Sequence, residues 1–506
     1  MSDPRNATIE RAALSAETTP IIPGFHPDPT ICRVGDDYYL AHSSFEYFPG
    51  APIFHSSDLV TWTQIGNILD RRSQFRHEVP GPSTGIYGST LRHHDGRFWF
   101  ATTNVSSFGS GQLIVHAERP EGPWSDPVYV PEAIGIDPDL CWDDDGTCYL
   151  TWHLLDFTVG AQGIRQAPID LQTGALLEPH YPVWQGSGMA MAEGPHLHRI
   201  GEWWYIVLAE GGTERGHCVT VARGPSPRGP FESCAANPVF THRSSSHPVQ
   251  NVGHADLVQA PSGEWAAVYL GARPRGSTPG FHVLGRETFL AGIAWHDGWP
   301  VFDEARFDIP ASRTGFLDDF SGDALDPRWV VPDGEPDSIA IPDPRQGVSF
   351  RSFGSPSSFL CTRVRDFAWT AEARVLTAGT LGLRLDDRHW CGVTLEDGRV
   401  RGVIQVGDLR QDIATVEVPA SEEVVLRISA VAPQSAPLPF GKAGPDDVIL
   451  SMAAASVGER EIARLDGRYF STEVAAGFTG RMLAIGSPTA GGRVLDVSYH
   501  PDTEEC

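Results

Sequence analysis

Short runs of aromatic and β-branched residues recur along the N-terminal part of the chain, each bounded by glycine, aspartate or proline. Five of these runs are closely alike: DDYYLAH, GRFWFATT, GTCYLTW, GEWWYIVLAE and GEWAAVYLG. Apolar positions with helical spacing are scarce, so the runs predict β-strands that follow tight turns. The first positions after each turn lie 60, 50, 55 and 62 residues apart, at Tyr38, Phe98, Cys148, Trp203 and Trp265. Because a four-stranded propeller blade with its loops has about this length, the repeat predicts five blades and favours them over an ordinary β-sandwich series.

A second regularity lies ten or eleven residues before each of these positions. The residues there are Asp28, Gly88, Asp137, Glu193 and His254. The first strand of each blade lines the central channel of a propeller, so equivalent positions on five blades converge around one axis. Three of the five are carboxylates, and each stands in a proline-containing segment (HPDP, IDPD, EGP) that favours extended backbone at a strand entrance.

The blade pattern ends near the segment FDIPASRTGF, residues 307–316. After it, alternating segments such as FAWTAEARVL and VVLRISAV predict antiparallel strands. The expected organisation is therefore an N-terminal extension at 1–20, a five-bladed propeller at 21–310 that carries the catalytic site, and a C-terminal β-sandwich at 316–506. The fold class is all-β.

Composition narrows the function classes. The 506-residue chain has 38 Lys+Arg against 64 Asp+Glu, a formal charge of −26, which argues against a nucleic-acid partner. No apolar run is long enough for a membrane helix, and the first twenty residues lack the pattern of a signal peptide, so we expect a cytoplasmic protein that does not bind membranes. The eight cysteines show no CxxC pairing and are expected to be buried free thiols.

A funnel lined by carboxylates and aromatic residues suits sugar hydrolysis. An inverting glycosidase needs a protonated acid at the leaving oxygen and an ionised base holding water across the ring, about 6.5–9.5 Å apart. Asp28 and Glu193 stand on the first and fourth predicted blades, which are not neighbours in the ring and favour that separation. Crowding three carboxylates in a buried pocket also raises the pKa of at least one of them, as a general acid requires.

Two other functions remain open at this stage. A carbohydrate-binding propeller without catalysis would keep the aromatic residues but would not need all three acids. A retaining propeller hydrolase of the fructan-cleaving type would need its acids about 5–5.5 Å apart, and its tryptophan-rich Asn-Asp-Pro signature is absent from this sequence.

Several segments, in order, resemble glycoside hydrolase family 43, particularly its β-xylosidases and α-L-arabinofuranosidases. They are PGFHPDPTICRVGDDYYLAHSSFEYFPGAPIFHSSDLVTW, GIDPDL followed by DDDG, AEGPHLHRIGEWWYIVLAEGGT, GHADLVQAPSGEW and LGRETFLAGIAWHDGWPV. The resemblance spans residues 21–305, and the part that begins at LDDFSG is more loosely similar to the β-sandwich of those enzymes. It implies an exo-acting hydrolase that removes a terminal pentose, β-D-xylose or alternatively α-L-arabinofuranose, from small oligosaccharides.

The resemblance also implies individual roles. Asp28 in HPDP would be the general base, Glu193 in EGPH the general acid, and Asp137 in IDPD the residue that raises the pKa of the acid and orients it. His254 and Arg286 would bind sugar hydroxyls.

Aromatic residues would complete the pocket. Phe45 would line the subsite of the terminal sugar. Tyr87 stands in GIYGS, where xylosidases of the family often have GIWAP. It is therefore expected to line the pocket, and the shape of this pocket is expected to differ from that of those xylosidases. Phe478 in AGFTG is the candidate for a sandwich residue that caps the pocket, the alternative being a phenylalanine in a core strand.

No cofactor is expected for this chemistry. The DDDG run, residues 143–146, lacks the ligand pattern of an EF-hand and predicts a strand turn, and His242, His247 and His254 lack zinc-ligand spacing. By resemblance, a structural Ca²⁺ in the propeller channel beside His254 is conceivable, and a homodimer or homotetramer is expected.

Overall fold

The computed structural model of the chain describes residues 19–75, 78–332, 334–351, 358–434 and 443–502. Strands dominate these residues, and the two α-helices among them, Pro336–Ile339 and Thr472–Ala475, are single turns. Short 3₁₀ segments lie at Val105–Ser110 and Gly467–Phe470. No helix in the described part of the chain combines the length and apolarity needed to cross a bilayer.

Five four-stranded antiparallel sheets, each built from consecutive strands, form the N-terminal part of the structure. Their strands are β1–β4 (Thr30–Val34, Asp37–Ala41, Gly50–Ser56, Thr63–Leu69), β5–β8 (Ile86–His94, Arg97–Asn104, Gln112–Ala117, Val128–Val130), β9–β12 (Gly135–Trp142, Cys148–Asp156, Ala161–Pro168, Tyr181–Pro182), β13–β16 (Glu193–Ile200, Trp203–Glu210, Cys218–Gly224, Glu232–Ser233) and β17–β20 (Gln250–Gln259, Trp265–Ala272, Glu287–His296, Trp299–Asp303).

The first strands of the five sheets contact one another in a closed ring: β1 with β5, β5 with β9, β9 with β13, β13 with β17, and β17 with β1. This is a five-bladed propeller, and the prediction from the repeat is confirmed. The five repeat positions stand at the first or second residue of the second strand of each blade. The repeat therefore identified the hairpin that joins the channel strand to its neighbour.

The C-terminal part of the structure consists of two antiparallel sheets. One joins β22, β23, β34, β25, β30, β31 and β32 in that order, with β21 also paired to β34, and the other joins β24, β33, β26, β27, β28 and β29. Their strands are β21–β24 (Phe316–Asp318, Ala340–Asp343, Gly347–Phe350, Leu360–Arg363), β25–β29 (Trp369–Val375, Gly379–Asp386, His389–Glu396, Arg399–Val406, Leu409–Glu417) and β30–β34 (Val424–Val431, Asp447–Ala454, Gly458–Asp466, Met482–Gly486, Arg493–Pro501).

The apolar faces of these two sheets form a single buried core, as in a β-sandwich. A second, smaller core joins the sandwich to the first blade. It includes Phe25, Phe45 and Tyr47 from the propeller side with Trp390 and Met482 from the sandwich. The loop that carries Phe45 is therefore supported from behind by the sandwich.

Two local predictions concern turns and thiols. The DDDG run forms the turn between β9 and β10, as predicted. Seven cysteines are buried and free, while Cys506 lies outside the described residues, as do residues 1–18 of the expected N-terminal extension.

Candidate active site

The inner strands of four blades change register at the same level of the channel. In β5, β9, β13 and β17 two residues oppose one residue of the neighbouring strand, and these pairs are 87–88, 137–138, 194–195 and 254–255. A β-bulge of this kind bends the strand and re-aims its side chains. The recurrent positions Gly88, Asp137 and His254 lie in these bulges, and Glu193 directly precedes the fourth.

Backbone conformation at this level is unusual for residues that carry side chains. Asp28, Asp137 and His254 have φ angles of 52°, 55° and 47°, and Gly194, next to Glu193, has 59°. Positive φ costs a non-glycine residue about 1–3 kcal/mol and persists where the surrounding structure enforces it, often at active sites. Asp28 lies two residues before β1, and Glu193 is the first residue of β13.

Asp28 is held as an anion. Its Oδ1 accepts a hydrogen bond from Arg286 at 3.0 Å and lies 3.4 Å from His254 Nδ1, and its Oδ2 accepts one from the Ser43 hydroxyl at 2.6 Å. Burial alone would raise the pKa of Asp28, but Arg286, His254 and Ser43 outweigh it and hold the pKa below its ordinary value. An ionised carboxylate is the form that a general base requires.

The pKa values of Glu193 and Asp137 are shifted upward, opposite to that of Asp28. Burial, followed by the charge of Asp28, raises the pKa of Glu193 to about 7. Burial and then the charges of Glu193 and Asp28 raise the pKa of Asp137 well above its ordinary value. Asp137 Oδ2 accepts a hydrogen bond at 3.1 Å from the backbone N–H of Gly194, so it is attached to the residue that follows Glu193.

Gly88 and Gly194 create the space in which these groups meet. A Cβ atom at Gly88 would lie 2.3 Å from Asp137 Oδ1 and 3.0 Å from His254 Cε1, and one at Gly194 would lie 3.0 Å from His254 Nε2. The second blade therefore contributes no side chain at this level, because Asp137 and His254 occupy the place of one. The His254 ring is neutral, since burial lowers its pKa to about 4.

Three aromatic rings form one wall of the site. Phe45 stacks on Phe478 with ring centroids 5.7 Å apart, and Tyr87 meets Phe45 at 4.9 Å and Phe478 at 5.9 Å, edge to face. Phe478 lies in the loop before β33 and is 36% exposed, so the alternative of a core-strand phenylalanine is wrong. Propeller and sandwich both contribute to this wall.

Arg286 connects the wall to the acids. Besides Asp28, it donates to Thr213 Oγ1 at 3.0 Å and to the carbonyl oxygen of Phe478 at 3.4 Å. Its guanidinium carbon lies 5.6 Å and 5.7 Å from the ring centroids of Phe45 and Phe478. Six of the eight residues expected in the site thus form one connected set of contacts, and Asp137 and Glu193 influence Asp28 and each other through their charges.

Sequence reasoning missed the residues that support this set. Ser43 was overlooked because a hydroxyl residue near a strand end carries no distinctive spacing. Ser83 accepts at its Oγ the backbone N–H of Phe478 at 2.9 Å and at its carbonyl the Tyr87 hydroxyl at 2.8 Å, and its own N–H donates to Glu46 at 3.0 Å.

Beneath the acids, the channel holds the guanidinium of Arg92 between two buried carboxylates. Arg92 donates to Asp139 Oδ1 at 2.6 Å and to Asp256 Oδ2 at 2.8 Å. Next to His254 stands His196, whose buried Nε2 has no hydrogen-bond partner among the described residues. Ca²⁺ prefers oxygen ligands, and Arg92 engages the two carboxylates here that could supply them, so the structural Ca²⁺ stays a prediction.

Comparison with known proteins gives a consistent result. The model of the family described as glycosyl hydrolases family 43 matches residues 17–300. A xylosidase/arabinosidase of Butyrivibrio fibrisolvens is 45% identical over 317 residues, which cover 58% of this chain and 59% of that relative. A non-reducing end α-L-arabinofuranosidase of Bacteroides ovatus is 37% identical over 447 residues, covering 81% of this chain and 82% of the relative. The crystal structure of a xylan β-1,4-xylosidase from Bacillus halodurans superposes with a TM-score of 0.84 at 27% identity, covering 96% and 99% of the two chains.

Proposed function

The chain belongs to glycoside hydrolase family 43, and from that premise we propose that it is an inverting, exo-acting hydrolase that releases terminal β-D-xylose from short xylo-oligosaccharides. The observation that carries the proposal is the opposed ionisation of Asp28 and Glu193. One carboxyl group is held charged by Arg286, His254 and Ser43, and the other keeps its proton near neutral pH. Two carboxyl groups whose environments separate their pKa values are the signature of an acid and base pair.

In the proposed reaction, water attacks the anomeric carbon while the bond from that carbon to the leaving oxygen breaks. Asp28 takes a proton from the water, and Glu193 gives its proton to the leaving oxygen, so charge and protons balance in one displacement. Asp137 holds the Gly194 N–H and thereby the backbone beside Glu193. Arg286 and His254 both contact Asp28 and, in this proposal, bind sugar hydroxyls beside it.

The aromatic wall supports an exo mode of action. Phe45, Tyr87 and Phe478 come from the first blade, the second blade and the sandwich, and they stand in mutual contact on one side of the acids. A wall of this kind blocks one end of the site, so a sugar packed against it is the last of its chain. Aromatic faces also suit the apolar faces of pentose rings.

Release of α-L-arabinofuranose is the alternative activity, because two relatives, 45% and 40% identical, are named for both sugars and one, 37% identical, is named for arabinofuranose. Tyr87 stands in GIYGS, where the xylosidase pattern is GIWAP. This difference bears on sugar choice and leaves the carboxylates unchanged.

The test compares nitrophenol release from aryl β-D-xyloside and aryl α-L-arabinofuranoside by wild type and Glu193→Gln, with Glu202→Gln, an exposed turn residue, as the matched control. We expect the xyloside to be the better substrate, a loss in Glu193→Gln that is larger for xylobiose than for the aryl xyloside, and no loss in the control. Proton NMR of xylobiose hydrolysis should show the α-anomer of xylose first.

Each alternative has its own outcome. Preference for the arabinofuranoside selects the second sugar, and β-xylose as the first product identifies a retaining enzyme. Folded wild type that cleaves neither compound but binds xylo-oligosaccharides would identify a binding propeller and overturn the proposed hydrolysis.

A further inference from the structure

A cluster of metal-ligating side chains lies apart from the carboxylate site, at the outer end of the fifth blade. His242 and His247 stand in the connection between β16 and β17, and Glu304 directly follows β20. One ligand atom from each of the three lies within 4.8 Å of the others. The sequence spacing of the histidines gave no metal signal because the third residue comes from the far end of the blade.

A neutral His242 ring has one N–H hydrogen, but both of its nitrogens face a hydrogen-bond acceptor. Its Nδ1 lies 2.8 Å from the carbonyl oxygen of Val249, which can only accept, so Nδ1 carries a hydrogen. Its Nε2 lies 2.9 Å from Glu304 Oε2. A neutral ring with hydrogen on Nδ1 has a lone pair at Nε2, so two acceptor atoms face each other. A proton or a metal cation must lie between them.

Glu304 faces this nitrogen as a carboxylate. Its other oxygen, Oε1, accepts a hydrogen bond from the Tyr269 hydroxyl at 2.7 Å. Tyr269 is fully buried and fixes the orientation of the carboxyl group.

His247 repeats the arrangement of His242. Its Nδ1 lies 3.1 Å from the same carbonyl oxygen of Val249, and the two rings are 3.8 Å apart between centroids. The Val249 N–H also lies 3.1 Å from this Nδ1, so the ring has two tautomers available. When Nδ1 donates to the carbonyl, Nε2 becomes the unprotonated atom. Imidazoles that bind metal through one nitrogen commonly donate from the other to a carbonyl oxygen.

We propose that His242, His247 and Glu304 form a binding site for a divalent transition metal ion of the Zn²⁺ type. Two imidazole nitrogens and one carboxylate oxygen are a ligand set that Zn²⁺ accepts with a further position open. Val249 and Tyr269 supply the outer hydrogen bonds that orient all three ligands. Ligand atoms around Zn²⁺ lie about 3.3 Å apart for bonds of about 2.0 Å, a value between the 2.9 Å that separates His242 Nε2 from Glu304 Oε2 and the 4.8 Å limit of the cluster. His247 and Glu304 are partly exposed and have room to close this difference.

The bound ion would attach the connection before β17 to the end of β20, so its effect is on stability. This site does not depend on the proposed hydrolytic function. It shares no residue with the carboxylate site, and its measurement does not use activity.

The experiment uses the full chain, stripped with a chelator and desalted, and titrates it with ZnCl₂ in a calorimeter. The variants are His247→Ala and Glu304→Gln, and the control is His296→Ala, a histidine whose side chain is 81% exposed and lies outside the cluster. We expect wild type and control to bind one equivalent, and both variants to bind at least about tenfold more weakly. At the same Zn²⁺ concentration the Tm of wild type and control should rise more than that of the variants.

Circular dichroism at the start of each titration establishes that the variants are folded. Glu304→Gln could unfold because Tyr269 and His242 lose their partner. In that case His247→Ala alone tests the proposal, since it removes a ligand and leaves the contacts of Glu304 with Tyr269 and His242 in place. Absence of binding by wild type, or equal binding by wild type and His247→Ala, would overturn the proposal. A protonated His242 in an ion pair with Glu304 would then explain the contact.

Discussion

Phe478 of the sandwich stacks on Phe45 of the propeller, with 23° between their ring planes. Ser83 fixes this arrangement at the level of the backbone, because its Oγ accepts the N–H of Phe478. Gly477 allows the approach, since a Cβ at that position would lie 2.6 Å from Ser83 Oγ. The pocket wall is therefore complete only when the sandwich is docked on the first two blades.

Replacing Phe478 by alanine should weaken catalysis while leaving the fold intact, because the ring is partly exposed and lies outside the sandwich core. Covering an aromatic side chain contributes about 1.5–3 kcal/mol, and about 1.4 kcal/mol is a factor of ten. We expect kcat/KM for xylobiose to fall about 10- to 100-fold. Tyr129→Ala, at a similarly exposed aromatic residue on β8, should have no effect. Equal kinetics for Phe478→Ala and wild type would remove Phe478 from the site.

The pH dependence of kcat/KM should be bell-shaped with widely separated limbs. Activity requires Asp28 ionised and Glu193 protonated. The pKa of Asp28 lies below its ordinary value, so the acid limb should lie below about pH 4. The pKa of Glu193 is about 7, so activity should fall as pH rises through that value.

Variants of Glu193 and Asp28 show which residue causes each limb of the pH profile. Glu193→Gln should lose the alkaline limb, and its loss of rate should be smaller for an aryl xyloside than for xylobiose, because nitrophenol leaves without protonation. Asp28→Asn should be inactive on both substrates. An alkaline limb that persists unchanged in Glu193→Gln would contradict the assignment of the acid. Circular dichroism across the pH range separates loss of activity from unfolding.

The sequence predicted the propeller because the same kinds of turn residue and strand recur in every blade. Turn residues and the aromatic runs after them located the second strand of each blade, and counting back from them reached the channel positions. The partners of those positions come from other blades. Arg92 reaches Asp139 and Asp256 on two different blades, and no spacing along the chain contains that information.

The same limit applies to the pKa values of the acids. By resemblance, Asp137 was expected to raise the pKa of Glu193, and this role stays a prediction, while burial and the charge of Asp28 raise that pKa in the structure. Asp137 is itself shifted upward by Glu193. Two buried carboxyl groups that repel each other titrate as a pair, and which of them is shifted by which neighbour depends on distances that only the folded propeller sets.

Gly88→Ala should abolish most activity without unfolding the propeller. A Cβ there would lie 2.3 Å from Asp137 Oδ1, so the carboxyl group must move away from the Gly194 N–H. Misplacement by about 1 Å costs about a hundredfold in rate, and we expect a loss of that order in kcat. The matched control is Gly66→Ala on β4, where a Cβ would meet no atom within 4 Å. Wild-type activity in Gly88→Ala would mean that the position of Asp137 is unimportant for catalysis.

Glu193→Gln should stabilise the protein against unfolding, and the gain should grow with pH. In wild type the folded pKa of Glu193, about 7, lies above its ordinary value of 4.5. The folded state therefore binds more protons than the unfolded state between these values, and the stability from this group is lost as pH rises through about 7. Glutamine has no charge to bury, so at pH 8 the variant should gain up to about 3 kcal/mol in free energy of unfolding, and near pH 4.5 little. Urea unfolding at both pH values measures the difference, with Glu202→Gln as the exposed control. A gain that is equal at both values would mean that the burial of charge on Glu193 does not cost stability.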